Sequence, residues 1–174
     1  MSRLFSLILL LTLLLTLKAS GQEAGFKAEF LQQFESDAQK LVALAEAMPA
    51  EMFDWRPMEG VSSVEAAYMH VARYNYNYPQ SSFDVPVPEG IDLETIESIP
   101  GKEAVVAELR RSLDHVRDVV EAMTEEEMDV ATTLYGRSAT NRAVLLQLLT
   151  HMNEHLGQQI AYARSNEVVP PWSR

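Results

Sequence analysis

Two histidines in the C-terminal part of the chain have the spacing of a metal-binding pair. His151 and His155 lie four residues apart in residues 140–164, which show the longest clean helical pattern after the N-terminal segment. On a helix this spacing puts them one turn apart, with Cβ atoms roughly 5–6 Å from each other. Two such imidazoles can bind one ion at about 2.0–2.1 Å per Zn–N bond. The pair therefore predicts part of a metal site, which one further ligand would complete.

The apolar pattern of the same segment predicts how the pair is oriented. Steps of three and four residues place one set of apolar side chains on one side of a helix, and a second column, which contains both histidines, runs beside it. We therefore expect both imidazoles to lie at the edge of the buried face. The first set is Leu145, Leu149, Met152, Leu156, Ile160 and Ala163, and the second column is Val144, Leu148, His151, His155, Gln159 and Tyr162.

The other two histidines have different predicted surroundings. His70 lies beside Val71 on the apolar side of a predicted second helix, whereas His115 shares a column with Arg111 and Asp118 on a predicted third helix. The first position suits a third ligand, or a core histidine with satisfied hydrogen bonds. The second indicates a solvated face, so we predict that His115 is not a ligand.

Glu154 has more than one candidate role beside the pair. It turns residues 151–155 into an H-x-x-E-H pattern, in which inverted zinc proteases use the glutamate as general base. The pattern is short and the rest of a protease context is missing. The alternatives are that Glu154 accepts a hydrogen bond from an imidazole N–H, or that it is a surface charge. Gln158 and Tyr74 are further candidates for lining the site.

Four amphipathic segments must position these residues, and together they predict an all-α fold. Ser62 and Glu65 form a capping-box pattern before the second segment, Pro79 follows its end, and Thr140 is the predicted N-cap of the fourth. Tyr76 is expected to point outward from the second helix. Such segments describe a four-helix bundle, in which sites for metals and cofactors are built from facing helices. The predicted helices are residues 26–48, 63–78, 102–123 and 140–164.

The connection between the second and third predicted helices is long and irregular. Residues 79–100 contain four prolines, and a short turn of helix is expected at residues 93–98. Loops of this length in compact domains are often functional. Two interpretations stay open, a lid over the site and a crossover that straps the bundle. Residues 132–139, by contrast, are predicted to be an irregular link without strands.

The N-terminal residues predict export. Arg3 precedes an uncharged apolar run at residues 4–17, which is shorter than the roughly 20 residues that span a bilayer, and small residues follow at 19–21. We predict a secretory signal peptide at residues 1–21 and a mature domain at residues 22–174, without stable membrane insertion after cleavage. An uncleaved anchor is the alternative, because Lys18 departs from an ideal cleavage context.

Composition excludes several partners and chemistries. The 174-residue chain has a net charge of −11, and removing residues 1–21 takes away two basic residues and no acid, which leaves −13. Such a charge repels phosphate backbones and anionic lipids, so nucleic acid is not an expected partner. The chain has no cysteine, so it can form neither a disulfide nor a lipoprotein anchor. Residues 22–174 are enough for one domain with a single core.

Several short motifs occur in an order that resembles the DinB-like family of metal-dependent helical bundles. They are Trp-Arg-Pro at residues 55–57, the Ser-Val start of the second helix followed by His70, the His-x-x-x-His pair followed by Gly-Gln, and Pro-Pro-Trp at residues 170–172. The match covers essentially all of residues 22–174. The resemblance implies a three-histidine metal site, which falls on His70, His151 and His155.

The same resemblance implies a chemistry. Similar proteins use a divalent ion, commonly zinc or nickel, for thiol transfer or for isomerisation and hydrolysis of small molecules. This sequence departs from the family in its predicted export and in Leu156, where many relatives carry arginine. Both departures weigh against thiol chemistry, and neither affects the three ligands.

Two classes of function follow from the sequence. In the first, a metal-dependent enzyme of the transferase or hydrolase type, three imidazoles leave an open position on the ion for water or for a small-molecule substrate of unknown identity. The second is a non-catalytic exported bundle that binds metal or a small ligand. A homodimer is also left open.

Overall fold

The computed structural model describes residues 25–173, and four long helices account for most of them. These are α1 (Phe26–Ala47), α2 (Val64–Phe83), α3 (Lys102–Ala122) and α4 (Asn141–Ser165). The predicted bundle, with its long connection between α2 and α3, is confirmed. The predicted signal peptide lies outside the described residues. Short 3₁₀ turns occur at Ala50–Met52, Ile96–Ser98, Glu126–Asp129 and Pro171–Ser173.

The order of the helices around the core brings α2 beside α4. Both α1 and α2 pack against α3 and α4, while α1 and α2 lie diagonally across the bundle. Each helix therefore turns its apolar side toward one shared core. The largest fully buried side chains include Phe34, Leu41, Tyr68, Met69 and Leu109.

The start and end of α2 differ in detail from the prediction. Ser63, rather than Ser62, is the N-cap, and its Oγ accepts a hydrogen bond from the Ala66 amide at 3.2 Å. The helix also continues past the predicted end at residue 78. Pro79 lies inside it and is buried, and core contacts on both sides of the proline offset the one backbone hydrogen bond that it removes. The helix ends at Phe83, and its C-cap, Asp84, adopts the left-handed conformation with φ 57°.

Tyr76 is buried, so the prediction that it points outward is wrong. Its ring is inaccessible to solvent, and its hydroxyl donates a hydrogen bond to Glu108 of α3 at 2.7 Å. Nearby, the Asn75 amide donates to the Ser112 hydroxyl at 3.0 Å. The reason is that α2 packs against two helices at once, so polar side chains on its flank are covered and find partners on α3.

A β-hairpin replaces the irregular link that was predicted between α3 and α4. Strands β1 (Ala131–Leu134) and β2 (Arg137–Thr140) pair antiparallel, and the two turn residues, Tyr135 and Gly136, have φ values of 52° and 72°. Two such residues define the tight turn that suits a two-residue hairpin, in which Asn-Gly is the usual sequence. Tyrosine at the first of these positions gives a weak sequence signal, which is why the hairpin was missed.

Within residues 25–173, none of the helices combines the length and the apolar content needed to cross a bilayer.

Candidate metal centre

Helices α2 and α4 bring the three predicted ligands together. One ring nitrogen from each of His70, His151 and His155 lies within 4.8 Å of the other two. The ring centroids are 5.1 Å apart for His70 and His151, 4.9 Å for His70 and His155, and 4.7 Å for the pair on α4. Nitrogens bound at about 2.0–2.1 Å to one tetrahedral ion would lie about 3.4 Å apart. Small side-chain rotations are therefore enough for the three rings to close on one ion.

The histidine column of α4 lies nearer the centre of the buried face than predicted. His151 is only 8% exposed, while Leu149 and Ile160 of the other column are only partly buried. The reason is that α4 faces both α1 and α2, so both columns pack inward. The buried members of the histidine column are Val144, Leu148, His151, Gln159 and Tyr162.

A carboxylate from the long connection holds His70. The Nδ1 of His70 lies 2.8 Å from Oε1 of Glu97. A carboxylate only accepts hydrogen bonds, so Nδ1 carries a proton, and in the neutral ring Nε2 presents its lone pair. Arg73 lies 3.6 Å from the same carboxylate oxygen. Histidine ligands in metal sites commonly have such a partner, which fixes the tautomer and the ring orientation. Glu97 is 27 residues away in sequence and no local pattern indicated it.

A chain of hydrogen bonds holds His155 in the same tautomer. Its Nδ1 lies 2.8 Å from Oε1 of Gln158, the Gln158 amide donates to the Tyr162 hydroxyl at 2.7 Å, and that hydroxyl donates to the Ser62 carbonyl at 3.1 Å. The Ser62 carbonyl can only accept, which fixes the direction of every bond in the chain. The Nε2 of His155 is therefore also free of a proton.

His151 is held by aromatic rings. The centroid of its ring lies 4.6 Å from that of Tyr74, and it meets the edge of Tyr78 at 6.0 Å with an interplanar angle of 85°. Tyr74 also lies 4.8 Å from His70. The predicted lining candidate Tyr74 thus contacts two of the three imidazoles.

Burial keeps the pair on α4 neutral. It lowers the pKa of His151 to about 4, with His155 and His70 contributing to the shift. Burial also lowers the pKa of His155, although its hydrogen bond to Gln158 opposes the shift. A metal ion binds only the unprotonated imidazole. The rings are therefore in the protonation state that a ligand requires at neutral pH.

Glu154 lies on another side of α4. Its side chain is exposed and lines a surface depression together with Gln33, Asp37 and Asn153. It is not one of the groups in the three-histidine cluster. One alternative predicted that Glu154 accepts a hydrogen bond from an imidazole N–H. In the structure, Glu97 and Gln158 accept these hydrogen bonds instead.

His115 lies outside the cluster, and it is half-buried, whereas Arg111 and Asp118 of the same column are exposed. The ring lies 5.1 Å from that of Tyr76, and within the described part of the chain its buried Nε2 has no hydrogen-bond partner. Burial lowers the pKa of His115, partly opposed by Asp118. The column that contains this residue is at the boundary of the buried face, where α3 meets α2.

A four-helix bundle with three histidines gathered between two of its helices defines the class of protein. The family model of the DinB superfamily matches residues 33–159, a range that includes His70, His151 and His155. The chain therefore belongs to the DinB superfamily. No curated protein matches it by sequence.

Solved structures share the fold at low sequence identity. A DinB-like protein from Bacillus subtilis matches with a TM-score of 0.65 and 18% identity, over 81% of this chain and 93% of that one. A DinB-like protein from Bacillus cereus matches with a TM-score of 0.64 and 15% identity, over 82% and 93%. A conserved protein from Enterococcus faecalis gives 0.59 and 14%, over 78% and 94%. At these identities the similarity shows the fold alone.

Proposed function

We propose that residues 22–174 form a metal-dependent enzyme that holds one divalent ion with His70, His151 and His155 and acts on a small molecule. The observation that carries this proposal is the donor set of the cluster. Three imidazoles converge, and in residues 25–173 no carboxylate is part of the group. Catalytic zinc sites have three protein ligands and an open position, whereas structural sites have four.

The surroundings of the cluster support a site that a substrate can reach. The His70 side chain is 32% exposed, while His151 is 8% exposed and Tyr78 is 1% exposed. The cluster is therefore open to solvent on the side of His70 and closed by packed rings on the side of His151. A substrate would approach beside His70, and Tyr78 would exclude water from the side of His151.

The ion and the protein would contribute different parts of the chemistry. When bound, a divalent ion supplies Lewis acidity toward a substrate oxygen or thiol. Glu97 and Gln158 keep the two outer imidazoles oriented, and burial keeps His151 unprotonated. We propose a hydrolase or a thiol or group transferase. Imidazole ligands suit zinc and nickel among the divalent ions, so one of these is the proposed metal.

Cobalt substitution tests whether the site is open. Co²⁺-loaded protein would be titrated with azide and, separately, with 2-mercaptoethanol, while the visible spectrum is recorded. An open position predicts a saturable spectral change with either ligand. An unchanged spectrum at saturating ligand, together with a loss of thermal stability on chelation, would show a closed structural site. The function would then be the non-catalytic binding of metal or of a small ligand.

We also propose that the chain is exported and that residues 1–21 are removed. The support is the basic start, the short uncharged apolar run and the small residues at 19–21. Mass spectrometry of the protein purified from its native host tests this, with a mature start near Gln22 as the expected result. An intact chain that begins at Met1 in the cytoplasm would overturn the proposal.

A further inference from the structure

We infer that Glu97 is a positioning residue of the metal centre, and that the seating of residues 84–101 and the binding of metal stabilise each other through it. This inference rests on the proposed function, because it assigns Glu97 a role toward the ion that His70 would hold. Glu97 is not one of the three side chains of the cluster. It acts through the ring of His70.

Residues 84–101 are fastened to α2 at several points. The Arg73 guanidinium donates to the Leu93 carbonyl at 2.9 Å, and the Gly101 amide donates to the Glu65 carboxylate at 2.9 Å. Ile96, next to Glu97, is buried in the core at 3% exposure. These contacts favour the strap interpretation of the connection over a freely opening lid.

One contact of residues 84–101, which we call the strap, reaches the histidine cluster directly. It is the hydrogen bond of 2.8 Å between His70 Nδ1 and Glu97 Oε1. Arg73 stands 3.6 Å from this carboxylate oxygen and also holds the strap through Leu93. Arg73 of α2 therefore contacts both the carboxylate and the segment that carries it.

This hydrogen bond couples the binding of metal to the seating of residues 84–101 on α2. With Glu97 seated, the proton of His70 stays on Nδ1 and Nε2 is ready as a ligand. With Glu97 displaced, either nitrogen of His70 can carry the proton, and ligation must first select the correct tautomer and ring orientation. Linkage is reciprocal, so an ion that selects the Nδ1–H form must favour the seated strap by the same factor.

A purely structural role for Glu97 makes different predictions. If the carboxylate only fastened the strap, its loss would lower the stability of the fold but leave zinc affinity and the tautomer of His70 unchanged. The chain offers a matched control in Glu94, an exposed glutamate of the same strap. Its carboxylate has no contact with the three histidines among the described hydrogen bonds and ion pairs.

Zinc affinity is the first measurement. Zn²⁺ would be titrated in competition with a chromophoric chelator into the wild-type chain, Glu97→Ala, Glu97→Gln and Glu94→Ala. Loss of the partner of a histidine ligand is expected to weaken zinc binding about 10–100-fold in Glu97→Ala. Glu97→Gln keeps an oxygen acceptor but loses the charge. Its zinc affinity should therefore lie between those of the wild type and Glu97→Ala. Glu94→Ala should bind zinc as the wild type does.

The tautomer of His70 and the protection of the strap are the second and third readouts. Imidazole ¹⁵N NMR of the chelator-treated protein should show Nδ1–H for His70 in the wild type and in Glu97→Gln, but a mixture of tautomers in Glu97→Ala. Zinc should slow amide hydrogen exchange within residues 84–101 in the wild type more than in Glu97→Ala. Neither readout depends on enzymatic activity.

The outcomes separate this inference from the proposed function. Wild-type zinc affinity in Glu97→Ala would overturn the inference and leave the three-histidine site intact. If Glu97→Ala does not fold, wild-type affinity in Glu97→Gln would overturn it instead. A wild-type chain that binds no zinc or other divalent ion would overturn the proposed function and this inference with it.

Discussion

The Nδ1 of His155 donates a hydrogen bond to the side-chain oxygen of Gln158, 2.8 Å away and almost one turn further along α4. The Gln158 amide continues to the Tyr162 hydroxyl, and that hydroxyl to the Ser62 carbonyl. A neutral amide thus orients His155, whereas a carboxylate orients His70. The two outer imidazoles of the cluster are held by groups of different charge.

We predict that Gln158→Ala weakens zinc binding by about 10–100-fold, the range for losing a partner that orients a histidine ligand. The physical reason is that the His155 ring would then be free to rotate and to exchange its proton between both nitrogens. Competition with a chromophoric chelator measures the affinity. Gln39→Ala, an exposed position on α1, is the control. Equal affinities in the two variants would show that the hydrogen-bond chain does not support the metal site.

We predict that His151→Ala removes most of the bound metal, whereas His115→Ala retains it. His151 supplies one of the three nitrogens that lie within 4.8 Å of one another, while His115 is on α3 outside that group. Elemental analysis of the purified variants measures the metal content, and circular dichroism checks that each variant is folded. The same metal content in both folded variants would contradict the ligand assignment.

The parts of the site that sequence could predict are those set by local periodicity. The spacing of His151 and His155 on one helix, and the placement of His70 on the apolar side of another, depend only on the 3.6-residue repeat. The family resemblance then joined the two helices into one site. Because helical faces are short-range properties, periodicity placed each histidine on its helix, while the meeting of the two helices came from the resemblance.

The parts that sequence could not predict depend on tertiary contacts. Glu97 reaches His70 only because residues 84–101 are folded back on α2, and a loop glutamate gives no signal of such a contact. Tyr76 is buried because α2 touches two helices, which its own pattern does not show. The continuation of α2 through Pro79 has the same origin, because packing offset the tendency of proline to end a helix.

We predict that Ser63→Ala destabilises the fold by about 1 kcal/mol, the typical cost of losing an N-cap. The Ser63 hydroxyl accepts the hydrogen bond from the Ala66 amide at the start of α2, and this amide would lose its partner. Urea denaturation of the two proteins measures the difference. Ser62→Ala is the control. Ser62 is exposed, and its backbone carbonyl, which accepts a hydrogen bond from Tyr162, is retained in alanine. A larger loss in Ser62→Ala would show that the capping box predicted from the sequence forms after all.

The final prediction concerns His115, whose folded-state pKa is lowered below the ordinary value of 6.5 by burial. The unfolded chain therefore binds a proton at a higher pH than the folded chain does. Between the folded and the unfolded pKa the unfolded state holds more protons, so stability rises with pH in that window. The contribution is fully present above pH 6.5 and is lost as the pH falls toward the folded pKa.

Replacing His115 with glutamine removes this titration, so His115→Gln should lose less stability than the wild type when the pH falls from about 7.5 to about 5.5. His151 and His155, whose pKa values are also lowered, titrate in both proteins and cancel in the comparison. Urea unfolding with a chelator present measures the free energy of unfolding at each pH. Asp118 opposes the shift, so Asp118→Asn should steepen the dependence. Parallel curves for the wild type and His115→Gln would show that the buried Nε2 of His115 obtains a proton in the folded protein as easily as in water.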